Sequence, residues 1–159
     1  MIRRRAYGFT LIELMISLAC VALIASIAMP YADLMMQRHK EAELRSALRE
    51  IRSALDAHHK AAEEGRITRE AGDSGYPKTL KSLASGVQDA SNPEGGMIYF
   101  LRRIPRDPFD SDPAREPAAT WGKRSYASAP GSPSEGKDVF DVYSRSTAAG
   151  LNGVPYREW

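Results

Sequence analysis

Gly8-Phe9-Thr10-Leu11-Ile12-Glu13-Leu14 opens an apolar run that continues to Met29. Between Phe9 and Met29, Glu13 is the one charged side chain in 21 positions. At about 1.5 Å rise per residue such a helix is about 30 Å long, the thickness of a bilayer's hydrocarbon core. Arg3, Arg4 and Arg5 precede it, and no acidic residue comes before Glu13. That asymmetry holds an N-terminus on the cytoplasmic side of a membrane. A secretory signal peptide has a shorter apolar core, about 7–15 residues. Ser26-Ile27-Ala28 offers a rival small-x-small cut, but one that leaves Glu13 without a purpose.

Outward from this run, helix signals persist to about Ala62. Leu44, Leu48, Ile51 and Leu55 recur at the steps of one helical face, with Ala47, Ala54 and Ala61 beside them. Glu43, Arg49, Glu50 and Arg52 are assigned to other faces, and Glu41–Arg45 and Asp56–Lys60 to favourably ordered acid-to-base pairs four residues apart. Gly65 is the expected stop. Pro30 interrupts the junction and removes one backbone hydrogen bond, so one long bent helix is expected, with a break into two helices as the alternative.

Beyond Gly65 the composition turns to Gly, Pro, Ser and Asp. Leu80 and Leu83 mark one or two helical turns after Tyr76-Pro77. Gly86 to Gly96 is expected to be a loop, with Asn92-Pro93 and Gly95-Gly96 as turn signals. Met97–Leu101 is a strand or a buried helical turn. Ser125–Ala127 and Val139–Tyr143 are expected strands of one small antiparallel sheet, set against the amphipathic helix face. The expected class is therefore α+β, with segments 1–8 (leader), 9–29 (membrane or filament-core helix), 30–64 (amphipathic continuation) and 65–159 (globular part with short strands).

The remaining composition narrows the chemistry. Lys plus Arg outnumber Asp plus Glu by only 22 to 20 among 159 residues, and no basic stripe with interleaved aromatics follows the three arginines. Nucleic acid is not an expected partner. Cys20 is the single cysteine, so no intrachain disulfide is possible. Asp107, Asp110 and Asp112 read as turns in which aspartate bonds its own backbone. His58 and His59 are adjacent, point about 100° apart on a helix, and make a poor metal pair. No nucleophile–base signature or phosphate loop is present, and no enzymatic activity is expected.

A carboxylate in a membrane helix costs about 2.5–3.5 kcal/mol at the bilayer centre and less near the interface, so Glu13 asks for a partner. A cut after Gly8 would create one, the new amine of Phe9, which a neighbouring subunit can present to Glu13. Acid and amine attract far more strongly in that medium than in water, and the pair would set the axial register between subunits.

The segment resembles the class III signal sequence of type IV pilins and type II secretion pseudopilins. The resemblance implies cleavage between Gly8 and Phe9 by a prepilin peptidase, N-methylation of Phe9, an assembly role for Glu13, and a helix-kinking role for Pro30, the twenty-second residue counted from Phe9. Tyr76-Pro77, Ile104-Pro105-Arg106-Asp107-Pro108-Phe109, Tyr126, Pro130-Gly131 and Phe140-Asp141-Val142-Tyr143-Ser144 follow in the order of the major (G-type) pseudopilins. The implied partners are further copies of the chain, the peptidase, an inner-membrane assembly platform and minor pseudopilins. The implied place is the inner membrane, single-pass, with the globular part in the periplasm. A minor pseudopilin, a type IV pilin subunit and a membrane-tethered periplasmic domain are the alternatives.

Two departures accompany the resemblance. Glu63–Asp73 and Ala114–Thr120 are longer than the family pattern. The resemblance also implies a calcium loop rich in aspartate after the final strand, where this chain reads Ser144-Arg-Ser-Thr-Ala-Ala-Gly-Leu-Asn-Gly153 without a carboxylate. Calcium takes about six to eight oxygens, several normally from carboxylates. Asp138, Asp141 and Asn152 are the side chains left to supply part of such a site.

Overall fold

A computed structural model describes residues 8–92 and 94–159. Arg3, Arg4, Arg5 and the Pro93 turn signal lie outside the described residues. The chain divides into two compact units, one up to His39 and one of Lys40–Trp159. Helix α1, Leu11–Glu63, contributes to both and runs uninterrupted through Pro30. The alternative of two helices broken at Pro30 is thereby removed.

In the first unit, Phe9, Leu11, Ile12, Leu18, Leu23 and Ile24 are all exposed. The helix is long and apolar enough to cross a membrane, and none of its most apolar 18-residue window is buried.

In the second unit α1 supplies the core. Leu44, Leu48, Ile51 and Leu55 are at most 2% exposed, with Ala47 and Ala54 beside them. Leu80, Leu83, Leu101, Trp121, Val139, Val142 and Tyr156 pack into the same cluster. The helix stops through a glycine cap. Gly65 has φ +75°, its N–H reaches the Ala62 carbonyl (3.3 Å), and the Arg66 N–H reaches that of Ala61 (2.9 Å). This crossed pair satisfies carbonyls that a helix end otherwise leaves orphaned. Ile67 then folds back onto Ala61 and Ala62.

The remainder is short elements joined by turns. Helix α2 is a single turn, Lys81–Ser85, and its Leu83 carbonyl receives the N–H groups of Phe100 and Leu101. β1 (Val87–Gln88) pairs antiparallel with β2 (Met97–Ile98), Val87 opposite Ile98. β3 (Trp121–Arg124) pairs antiparallel with β4 (Asp141–Ser144), Trp121 opposite Ser144 and Arg124 opposite Asp141. Tyr143 lies directly across from Gly122, where a Cβ would stand 2.3 Å from the tyrosine ring.

Several expectations are corrected. Among the described residues there are two separate two-stranded ribbons rather than one sheet. Residues 86–96 are not wholly a loop, because β1 lies within them. The segment Met97–Leu101 is strand at its start, yet Met97 and Tyr99 face outward. The strand expected at Ser125–Ala127 lies wholly earlier, at Trp121–Arg124: Asp138 captures the Ser125 hydroxyl and the Tyr126 N–H (both 2.8 Å), turning the chain away. Val139 likewise bonds Pro77 instead of joining β4.

Two substitutions test the packing and the helix stop. Ile51→Ala is expected to lower unfolding free energy by about 2–5 kcal/mol, as transfer and cavity costs add. Gly65→Ala is expected to cost about 1–2 kcal/mol, because a side chain there meets open space but strains a left-handed backbone. Denaturant midpoints of the full chain in detergent micelles measure both.

Candidate assembly site

The N-terminal helix begins where a hydroxyl makes it begin. Thr10 Oγ1 accepts the Glu13 N–H (3.3 Å), and the Thr10 carbonyl accepts the Leu14 N–H (3.2 Å). A threonine before the first helical residue with glutamate three places on is the pattern that caps otherwise unpaired N–H groups. Glu13 thus stands in the first turn of α1, where a negative charge also meets the favourable end of the helix dipole. The Ser17 hydroxyl donates back to the Glu13 carbonyl (2.7 Å). Gly8 and Phe9 precede the helix, and Phe9 is 78% exposed. Pro30 lies within α1 on an exposed stretch, far along the chain from this first turn. Ser26, of the rival cut, lies inside the helix with its hydroxyl on the Leu23 carbonyl (2.7 Å).

A second polar arrangement occupies the other end of the sequence. Glu41 is buried, and its Oε1 accepts the Leu151 N–H (2.7 Å) and the Tyr156 hydroxyl (3.0 Å). Arg45 Nη2 is 3.8 Å from Glu41 Oε2, while its guanidinium lies 4.2 Å from the centre of a Trp159 ring. Arg52 donates through Nε to Asp141 (2.8 Å) and through Nη2 to the carbonyls of Val142 (3.2 Å) and Trp159 (2.8 Å). Asp107, also buried, accepts the Ser144 hydroxyl (2.6 Å).

The comparisons with known proteins bear on both ends. Residues 3–29 match the family described as a prokaryotic N-terminal methylation motif. The chain is 32% identical over 118 residues to the type II secretion system core protein G of Klebsiella pneumoniae, covering 69% of this chain and 73% of that one. The chain belongs to the core protein G family. Proteins of the same name from Klebsiella michiganensis (28% identical, 69% of this chain, 72% of that one) and Dickeya chrysanthemi (27%, 69% and 67%) are further relatives. No solved structure matches the chain. It is a major pseudopilin subunit, of a family that is structural.

Membership of the core protein G family sharpens the question of calcium, and the residues here do not fit the ion. Asp138 accepts the Ser74 hydroxyl (2.6 Å) on one oxygen, and the Ser125 hydroxyl and Tyr126 N–H on the other. Burial would push its carboxyl up, but these donors outweigh burial and hold it below the ordinary value. Asp141 faces two guanidiniums, Arg52 at 2.8 Å and Arg124 at 3.5 Å, which would repel a cation. The Asn152 side-chain oxygen accepts the Val154 N–H (3.1 Å). Each candidate ligand thus serves a different set of protein donors. Among the described residues no group of three or more metal-ligating side chains gathers.

Other polar groups fall only partly where their spacing put them. Glu41 keeps Arg45 at 3.8 Å but is itself buried, and Arg52 is half-buried. Lys60 lies 4.0 Å from Glu64, the next acid along the helix, instead of joining Asp56. Asp107, Asp110 and Asp112 form successive turns, accepting the N–H of Phe109, Asp112 and Ala114. His59 stacks on Tyr76, with ring centres 4.4 Å apart.

His58 is buried, and its Nδ1–H donates to the Gly75 carbonyl (2.9 Å). Burial pushes its pKa below 6.5; the bond to Gly75 opposes this, and neighbouring His59 adds to it. Below pH 6.5 the unfolded chain therefore binds more protons at this site than the folded one, so stability rises with pH there. Acidification from neutral pH through the lowered value is expected to reduce the melting temperature. A His58→Gln variant is expected to show a flatter dependence over the same window.

Proposed function

We propose that the chain is cut between Gly8 and Phe9 by a prepilin peptidase, is methylated on the Phe9 amine, and stacks with other copies into a periplasmic pseudopilus that serves protein export. Glu13 accepts the Phe9 amine of a neighbouring subunit. The observation that carries this reading is a single carboxylate in the first turn of an exposed apolar helix, with no other charged side chain before Asp33: among the described residues no hydrogen bond or ion pair engages the Glu13 side chain. Hydrocarbon does not tolerate such a group alone.

The helix start supports the cleavage point. A peptidase needs backbone that is free of regular hydrogen bonding. Gly8 and Phe9 precede the capped turn, whereas Ser26–Ala28 lies inside the helix. Before assembly the apolar segment lies in the inner membrane as a single pass, the arginines on the cytoplasmic side and the Lys40–Trp159 unit in the periplasm. On extraction, the same apolar surface trades lipid for the helices of neighbouring subunits. Pro30 frees the Ser26 carbonyl from its helical partner and lets the segment adapt to that packing.

Coexpression with its native processing enzyme is expected to yield a mature N-terminus at methylated Phe9 by mass spectrometry. Retention of residues 1–8 would refute the reading. Glu13→Ala is expected to reduce sheared filament at least about tenfold, since removing one member of a buried pair strands the other charge at about 3–5 kcal/mol. Normal filament yield from that variant would remove the register role.

A further inference from the structure

The segment after β4, residues 145–159, is where the family resemblance implies a bound cation. It carries no carboxylate before Glu158, and the acids just ahead of it, Asp138 and Asp141, are already engaged by hydroxyls, an N–H and two guanidiniums. A loop of this kind still has to be fastened, because its backbone N–H and carbonyl groups lose water when it packs on the core.

Two α1 side chains meet that need from opposite directions. Glu41 presents one oxygen to the Leu151 N–H at 2.7 Å and the Tyr156 hydroxyl at 3.0 Å, and is only 4% exposed. Arg52 gathers the Asp141 carboxylate and the carbonyls of Val142 and Trp159 onto one guanidinium. The carboxylate takes up donors of the segment, and the guanidinium takes up acceptors at its two ends. Backbone bonds close the remainder: Gly150 to Val154 (2.9 Å) and Tyr156 to Ala148 (3.1 Å). A calcium ion could fasten only acceptors. Here the deepest attachment runs through donated hydrogens, the Leu151 N–H and the Tyr156 O–H on Glu41, and a backbone N–H is a group no cation can bind.

We propose that Glu41 and Arg52 stand in place of a cation as the fastening of residues 145–159, so that this major pseudopilin orders its C-terminal segment without calcium. Both are positioning residues: they act on the loop rather than on any reacting group.

Hydrogen exchange read by mass spectrometry on the full chain in detergent micelles tests this, with millimolar calcium chloride or with EGTA. The wild type is expected to protect peptides covering 145–159 equally in both buffers. Glu41→Gln is expected to raise exchange in that segment by about tenfold or more, since the charged acceptor of two buried hydrogen bonds is lost. Arg52→Gln, at a half-buried position that leaves the apolar stripe intact, is the second variant and is expected to act in the same segment. Neither variant regains protection on adding calcium.

A tenfold loss of protection in EGTA for the wild type would overturn the proposal. So would unchanged protection in both variants. So would a rise as large across Leu44–Leu55 as across 145–159 in both, which would make the residues general core elements rather than a local fastening.

Discussion

The Lys40–Trp159 unit is organised by one constraint: it has a single long element on which to build. Its ribbons are two and four residues long, and α2 is one turn. Isolated two-stranded ribbons are marginal in water. Order therefore comes from the stripe Leu44, Leu48, Ile51 and Leu55, against which residues from α2, β3, β4 and the C-terminal segment all pack. The loops between them are turn-rich because their task is to deliver side chains to that stripe.

The stripe does not stop at its apolar members. Stepping by three and four residues, it extends back to Glu41 and forward to His58 and Ala62, all buried. Polar groups at those two positions are satisfied by backbone from distant parts of the chain: Leu151 for Glu41, Gly75 for His58. The same helix face thus supplies hydrophobic burial in its middle and hydrogen-bonding anchors at its ends.

This explains how far the sequence could be read. The apolar positions on α1, the glycine stop and the N-terminal carboxylate follow from periodicity and from the oddity of a charge in an apolar run, and they were legible. Glu41 sits in register with Leu44 and Leu48, so its burial was available as a clue, but a glutamate four residues before an arginine reads equally as a surface pair. Arg52 gave no such sign, because its partners lie about 90 to 107 positions away. The strand limits failed for a related reason: Asp138 draws Ser125 and Tyr126 out of a β conformation that their local sequence favours. Contacts of long range are invisible to spacing rules.

Those long spans also shape how the unit forms. Glu41 meets Leu151 across 110 positions and Tyr156 across 115. Local helix can form in about a microsecond, whereas joining distant segments first requires costly loop closure. The apolar stripe is consequently ready well before its last cover arrives. Full cover of that stripe depends on residues contributed from the far end of the sequence.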